Sequence, residues 1–298
     1  MKILITGSNG LLGQKLVKQL TEDTDIELIA TARGENRLPA DSKYTYAQMD
    51  ISDKGQVLNV IAEHQPEVII NTAAMTNVDQ CETDREGCWK LNVDSVEYLI
   101  EATEKVGAHL VHVSTDFIFD GSYGPLKEDA EPAPVNFYGE SKLAAEQLLL
   151  DSKITWSIAR TVLVYGIAHD MSRSNIILWV KNNLENNKEI NVVDDQWRTP
   201  TLAEDLAMGC FLIGKNKAQG IYHISGKDML SPYDIAIETA KFFELDSSLI
   251  HRTDGSKFQQ TAKRPPKTGF IIDKAKNDLG YNPHSFEEGL AVLKSQLS

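Results

Sequence analysis

The chain opens on a five-residue run, Lys2–Thr6, that is mostly apolar and ends in a cluster of glycines. That pattern predicts a short buried strand rather than a helix. Leu12, Leu16 and Leu20 follow four apart, so Leu11–Leu20 reads as a helix with one apolar stripe. The two patterns then alternate. Strands are expected at Ile26–Thr31, Tyr44–Met49, Val68–Asn71, Leu110–Ser114 and Thr155–Arg160. Helices are expected at Val57–His64, which Pro66 stops, at Glu86–Val106 and at Tyr138–Leu150. Such alternation predicts an α/β fold, a doubly wound parallel sheet with helices on both faces.

After residue 165 the rhythm loosens. Helices are expected at Ser174–Asn186, Leu202–Ile213 and Phe286–Leu297, and strands at Glu189–Val193 and Ile221–Ile224. Ser231-Pro232 starts one more helix, with serine at the N-cap and proline in the first turn. The expected division is a large domain over residues 1–165, also taking in about 195–225, and a smaller, discontinuous C-terminal lobe drawn mainly from 166–298.

The first strand ends in Thr6-Gly7-Ser8-Asn9-Gly10-Leu11-Leu12-Gly13. Glycines spaced G-x-x-G-x-x-G between a strand and a helix suit a dinucleotide of the Rossmann type. The loop lets backbone approach a pyrophosphate, and the helix N-terminus offers free N–H groups to it. Gly7, Ser8, Asn9, Gly10, Leu11, Leu12 and Gly13 are therefore candidate cofactor residues. The end of the second strand reads Thr31-Ala32-Arg33, with no acid to take a ribose hydroxyl, so Arg33 points to the 2′-phosphate of NADPH. Asp50 and Ile51, at the end of the third strand, could meet the adenine. Ala73 and Ala74, after the fourth, leave room for a cofactor.

Tyr138 and Lys142 stand four apart on one expected helix. A phenol is a poor acid–base catalyst at neutral pH, and a neighbouring ammonium favours its phenolate. Chance also supplies such pairs. A second one, Tyr123 and Lys127, encloses Gly124-Pro125, which argues against a helix there. The fifth strand ends in Val113-Ser114-Thr115-Asp116, which adds a hydroxyl that could hold a carbonyl oxygen.

Bulk properties narrow the alternatives. The 298 residues carry a formal net charge of −13, which argues against a general binder of nucleic acid or anionic membrane. Cys81, Cys88 and Cys210 are too few and scattered for a disulfide framework or a metal cluster, so a reducing cytoplasm is the expected compartment. The N-terminus runs straight into the glycine motif, so no signal peptide is expected, and no apolar run is long enough to span a bilayer.

Together these motifs resemble the extended short-chain dehydrogenase/reductase superfamily, and within it the dTDP-4-dehydrorhamnose reductase family. The resemblance covers nearly the whole chain. It rests on the glycine loop, Asn71-Thr72-Ala73-Ala74, Asn92-Val93 and Ser114-Thr115-Asp116-Phe117-Ile118-Phe119-Asp120-Gly121. It continues through Tyr138-Gly139-Glu140-Ser141-Lys142, Arg160-Thr161 and Asp195-Gln196-Trp197-Arg198-Thr199-Pro200-Thr201 to Arg264-Pro265. The resemblance implies reduction of a 4-keto group on a dTDP-linked 6-deoxyhexose by NADPH, with NADH as the other cofactor the family uses. Thr115 and Tyr138 would then bind the carbonyl, Tyr138 would give the proton, and Lys142 would tune Tyr138 and hold the ribose. Thr76, Val78, Asp116, Phe117, Gln196, Arg198 and Arg264 would lie near the substrate, the arginines facing a diphosphate. Glu128, Asp129 and the 169–174 loop suggest a lid. Two departures fall on the sugar side: Phe117 where the family often has tyrosine, and Leu163 where it often has tryptophan. Lys15 stands where some members carry a metal-binding glutamate, so no metal is expected. A homodimer through the two long helices is a further expectation. The regulatory β subunit of methionine adenosyltransferase resembles the same family. A non-catalytic NADP-binding role is therefore one alternative, and a reductase or epimerase with another substrate is a second.

Overall fold

The computed structural model describes residues 1–38, 43–170, 175–255 and 260–297. The first half runs β1 (Lys2–Thr6), α1 (Leu11–Leu20), β2 (Glu27–Ala32), β3 (Thr45–Gln48), α2 (Lys54–His64) and β4 (Val68–Asn71). It continues α3 (Val78–Thr83), α4 (Arg85–Trp89), α5 (Ser95–Val106), β5 (His109–Thr115), α6 (Phe137–Leu150) and β6 (Thr155–Thr161). The remainder holds β7 (Val164–Tyr165), α7 (Ile176–Glu185), β8 (Ile190–Val193), β9 (Thr201–Leu202), α8 (Ala203–Asn216) and β10 (Gly220–His223). Last come α9 (Pro232–Phe242), β11 (Ile250–Thr253), α10 (Asp273–Leu279) and α11 (Phe286–Ser295).

Seven parallel strands form the main sheet in the order β10-β6-β5-β4-β1-β2-β3. Residues alternate between its faces, as the pleat requires. Ile3, Ile5, Val68, Ile70 and Val111 pack on one side with Leu16 and Leu20 of α1 and Leu206, Cys210 and Ile213 of α8. Leu4, Ile69, Leu110 and Ile158 pack on the other with Val57 and Ile61 of α2, Val96 and Leu99 of α5, and Ala145 and Leu149 of α6. Each such side chain contributes about 1.5–3 kcal/mol by leaving water, so the doubly wound arrangement follows from burying both faces. Val96 and Leu99 thus face this chain's own core.

β10 joins the sheet beside β6 although it lies beyond residue 165. A second region packs apart from the sheet. Val180 and Leu184 of α7, Ile190 and Val192 of β8, Ala236 and Ala240 of α9 and Ile250 of β11 bury one another, and β8 pairs with β11. Ser231 caps α9 through a reciprocal bond with Asp234, with Pro232 in the first turn.

The sequence pattern differs from the structure in three places. The expected helix Glu86–Val106 is broken into α4, a π-helical turn at Lys90–Asp94, and α5. Within that turn the buried Asn92 accepts from Met75 N and donates to Met75 O and Ser141 Oγ. α3, α10, β7, β9 and β11 were not expected, because they are short. α7 begins at Ile176, and Ser174, where its start was expected, lies outside the described residues.

Candidate active site

The strand order turns back at β1 and β4, and open α/β sheets bind ligands beyond the carboxyl ends of the strands at such a switch point. A cavity of about 630 Å³ lies there. Gly10, Leu11, Leu12 and Gly13 line one side of it, with Thr72 and Ala74 from the loop after β4. α1 starts at Leu11 with no side-chain cap and no acid in its first turn, so its leading N–H groups are open to an anion. Gly13 is required by close approach: an added Cβ would meet Gly7 O at 2.3 Å and Ser8 Cα at 2.6 Å. Ser114 Oγ is buried on the cavity wall and has no hydrogen-bond partner among the described residues. An uncapped helix end and an orphaned hydroxyl lining one cavity fit a dinucleotide.

The other expected cofactor residues sit outside the lining. Gly7 and Ser8 form the loop beneath it, with Ser8 Oγ buried and without a hydrogen-bond partner among the described residues. Asn9 holds the neighbouring loop, donating to Glu35 O and accepting from Arg37 N. Arg33 is exposed just past β2. Asp50 Oδ1 accepts from Ser52 N and Oγ, while Ile51 is buried in the core beside α2. Ala73 N donates to Thr6 Oγ1.

Thr115, Tyr138 and Lys142 meet on the opposite wall, beside Thr76, Val78, Asp116 and Phe117. β5 delivers Thr115, and α6 delivers the other two one turn apart. Asn136 caps α6 by accepting from Gly139 N. Gly139 permits the contact that aligns the two elements, because a Cβ there would stand 2.1 Å from Phe117 O. The Tyr138 ring meets Phe117 edge-on, with centroids 5.7 Å apart. The control pair is unlike this: Tyr123 and Lys127 are exposed and lie on no helix.

Burial dominates the electrostatics of the pair. Burial pushes the Tyr138 phenol well above its usual pKa, and a hydrogen bond with Thr115 opposes that. Lys142 Nζ donates to Val113 O at 2.8 Å and lies 2.9 Å from His112 Nε2. Burial brings Lys142 itself down to about 8. His112 and Asn71 were not read from the sequence as site residues. A signal existed, since His109 and His112 are polar interruptions in the otherwise apolar start of β5.

The basic residues expected at the substrate are placed as ties. Arg198 is buried, donates to the carbonyls of Trp197, Pro265 and Pro266, and pairs with Asp116 at 3.4 Å. Burial pushes Asp116 up and Arg198 down, each opposed by the other's charge. Thr268 Oγ1 also donates to Asp116. Arg264 forms a two-pronged bond to Asp79, at 3.0 and 2.7 Å. Neither arginine lines the cavity, nor does Gln196. Their cationic groups have partners within the chain. Glu128 is likewise structural, accepting from His223 N and, through its carbonyl, from Arg160. Neither it nor Asp129 lines the cavity. His169 is bound to Gln14, while residues 171–174 of the expected lid lie outside the described residues.

The whole sequence, residues 1–298, matches the family described as RmlD substrate binding domain. The chain belongs to that family. It is 30% identical to a dTDP-4-dehydrorhamnose reductase of Aggregatibacter actinomycetemcomitans, over 99% of this chain and 98% of the relative. It is 33% identical to methionine adenosyltransferase 2 subunit beta of Xenopus laevis, over 83% of this chain and 73% of that one. Among solved structures, a dTDP-4-dehydrorhamnose reductase of Bacillus anthracis in complex with NADP superimposes with a TM-score of 0.86. The two share 29% identity, and each chain is 99% covered. Within the RmlD family, the two departures noted in the sequence both touch this cavity. Phe117 packs on Tyr138, and Leu163, half-exposed on the lining, has φ +37°, a conformation that costs a branched side chain energy. Lys15 is buried and bonds to Glu204 and Gln296, each at 2.8 Å.

Proposed function

We propose that the chain is an NADPH-dependent reductase of the 4-keto group of a dTDP-linked 6-deoxyhexose. The observation that carries this reading is the convergence of Thr115, Tyr138 and Lys142 on one cavity whose other wall is an uncapped helix N-terminus. Bound NADPH would supply hydride to the carbonyl carbon. Tyr138, held protonated by burial, is suited to give a proton to the carbonyl oxygen. Thr115 fixes the phenol and offers a second contact to that oxygen. One N–H of Lys142 is left over from its bonds to β5 for a ribose hydroxyl. The cofactor choice is supported by Arg33 at the end of β2 and by the NADP named in the Bacillus anthracis structure.

The lobe of α7, α9, α11, β8 and β11 is the substrate lobe in this reading. Its Ile177, Ile235 and Phe286 give the cavity an apolar end that excludes water. No described helix is long and apolar enough to cross a membrane. The three buried free thiols suit a reducing cytoplasm. Exposed Trp89 and Leu150 are available to a homodimer. The test is NADPH oxidation with the dTDP-4-keto-6-deoxyhexose, run beside its UDP and GDP analogues. Oxidation of none of them, despite tight NADP binding, would transfer the assignment to a regulatory role. The likeness to methionine adenosyltransferase 2 subunit beta supports that second reading.

A further inference from the structure

Thr6, Asn71 and His112 are register neighbours on three adjacent strands. Thr6 is opposite Asn71 between β1 and β4, and Asn71 is opposite His112 between β4 and β5. Their side chains form one hydrogen-bonded row. Thr6 Oγ1 donates to Asn71 Oδ1 at 2.6 Å, Asn71 Nδ2 lies 3.0 Å from His112 Nδ1, and His112 Nε2 lies 2.9 Å from Lys142 Nζ. The four residues are 0%, 1%, 1% and 2% exposed. The row starts at the residue before Gly7 and ends on the lysine of the site. Packing alone would fill such a floor with apolar side chains, because buried polar groups stabilise only when paired.

We propose that His112 is a positioning residue for Lys142, and that the row reverses its hydrogen-bond direction with the charge of that lysine. The inference rests on the reading of Tyr138 and Lys142 as the proton-handling pair. Counting protons forces the reversal. A neutral imidazole carries one N–H and one lone pair. When Thr6 donates to Asn71 Oδ1, the Asn71 amide donates to Nδ1. The ring proton then sits on Nε2 and points at Lys142 Nζ, and only an uncharged amine has a lone pair to receive it. An ammonium has donors alone. It requires a bare Nε2 and a protonated Nδ1, with Asn71 turned so that Oδ1 faces the ring and Nδ2 faces Thr6 Oγ1. Between the two patterns Lys142 differs by one proton, while the ring keeps the same number. Threonine and asparagine can each donate and accept, so both patterns pair both ring nitrogens.

The surroundings keep both states within reach. Burial and the charge of Lys142 hold His112 neutral, far below the usual histidine range. The groups facing Lys142 are His112 from β5, Cys88 from α4, Glu146 one turn on along α6 and Tyr138 one turn before. Glu146 and Cys88 favour its charged form, and burial opposes them.

Nitrogen-15 spectra of the histidine rings test the row without any turnover, the His112 signals being those lost in His112→Gln. The expected result is a protonated Nδ1 at low pH that becomes a protonated Nε2 as pH rises, with a midpoint near 8. A single tautomer between about pH 6 and about pH 10 would overturn the reversal. Positioning is read from kcat against pH. His112→Leu should lose about tenfold or more in kcat, and its alkaline limb should move down by about one pH unit, because a buried ammonium has lost an acceptor. His112→Gln, whose amide can stand where Nε2 stood, should restore most of that loss. An unmoved limb and an unchanged kcat in the leucine variant would overturn the positioning role. If the leucine variant does not fold, the wild-type spectra still decide the row. If no ketosugar is reduced by the wild type, the functional reading fails while the spectra continue to judge this one.

Discussion

Gly139 is where α6 rests on the turn that follows β5, and replacing it with alanine tests how the site is aligned. The new methyl would stand 2.1 Å from Phe117 O and 3.0 Å from Phe117 C and Pro134 Cβ. Ordinary contact begins at 3.4 Å, so helix and turn must separate by up to about 1.3 Å, the difference between 3.4 and 2.1 Å. The nearest obstacle is a backbone carbonyl, which cannot swing aside as a side-chain tip can. Crowding of this kind costs about 1–3 kcal/mol. Alanine's better helix propensity offsets about 1 kcal/mol of that. The net cost is no more than about 2 kcal/mol, and the variant should fold. Turnover is more sensitive. Tyr138 precedes Gly139, and Thr115 lies two residues before Phe117, so the separation falls directly on the Tyr138–Thr115 contact. A misplacement of about 1 Å at reacting groups costs on the order of 100-fold. The assay is NADPH oxidation with the ketosugar, paired with a urea unfolding curve on the same sample. A folded Gly139→Ala variant with wild-type kcat/KM would refute the claim that this contact sets the geometry.

Other expectations follow from the same geometry. Tyr138→Phe should lower turnover by about 10²–10⁴-fold while leaving NADPH binding intact, and calorimetric titration beside the kinetic assay separates the two effects. Arg33→Asp should move the NADPH to NADH preference by about 10–100-fold towards NADH, the size of one lost charge-assisted contact to phosphate. An unchanged ratio of kcat/KM values would remove Arg33 from the cofactor site. Lys142 falls from an ordinary 10.5 to about 8 on folding, so the unfolded chain holds this proton more tightly. The buried charge therefore costs stability below about pH 8, roughly 3 kcal/mol, and the cost fades as pH climbs towards 10.5. Lys142→Met should accordingly gain stability at pH 7 and lose that advantage at about pH 10, and a gain constant across that range would contradict the sign. Arg198→Met should cost about 3–5 kcal/mol in a denaturant melt, because it strands the buried Asp116 carboxylate.

The sheet was legible because its strands are short apolar runs with breakers on both sides. Val68–Asn71 is found as expected, and β1, β2 and β6 begin or end within a residue of expectation. The glycine loop was legible because its function needs consecutive residues in one local shape. α3 was not, because Val78–Thr83 carries a single buried residue, Cys81, and no stripe. The break in the long helix was hidden because Lys90–Asp94 stays helical and holds no proline or glycine to mark it. Long-range pairing was the least legible. Nothing near position 198 announces that its guanidinium is used up by Pro265, Pro266 and Asp116, since those partners lie far away in sequence. His112 escaped for a related reason. One polar residue in a strand looks like any other until the neighbouring strands show what stands beside it.

The tie between Asp116, Arg198 and Thr268 has a consequence for the order in which the protein matures. As the chain leaves the ribosome, β1 to β6 emerge first and can assemble most of the parallel sheet. At that stage Asp116 has neither its guanidinium nor its threonine, and a carboxylate without partners is held in water by its hydration. The end of β5, and with it the seat of Thr115, can be desolvated only when residues 198 and 265–268 arrive from the last third of the chain. A nascent or truncated chain ending before Pro265 would therefore keep a glycine loop ready for nucleotide beside an unfinished wall at the proposed catalytic residues. Nucleotide binding should thus be acquired during synthesis, and chemistry only at its close.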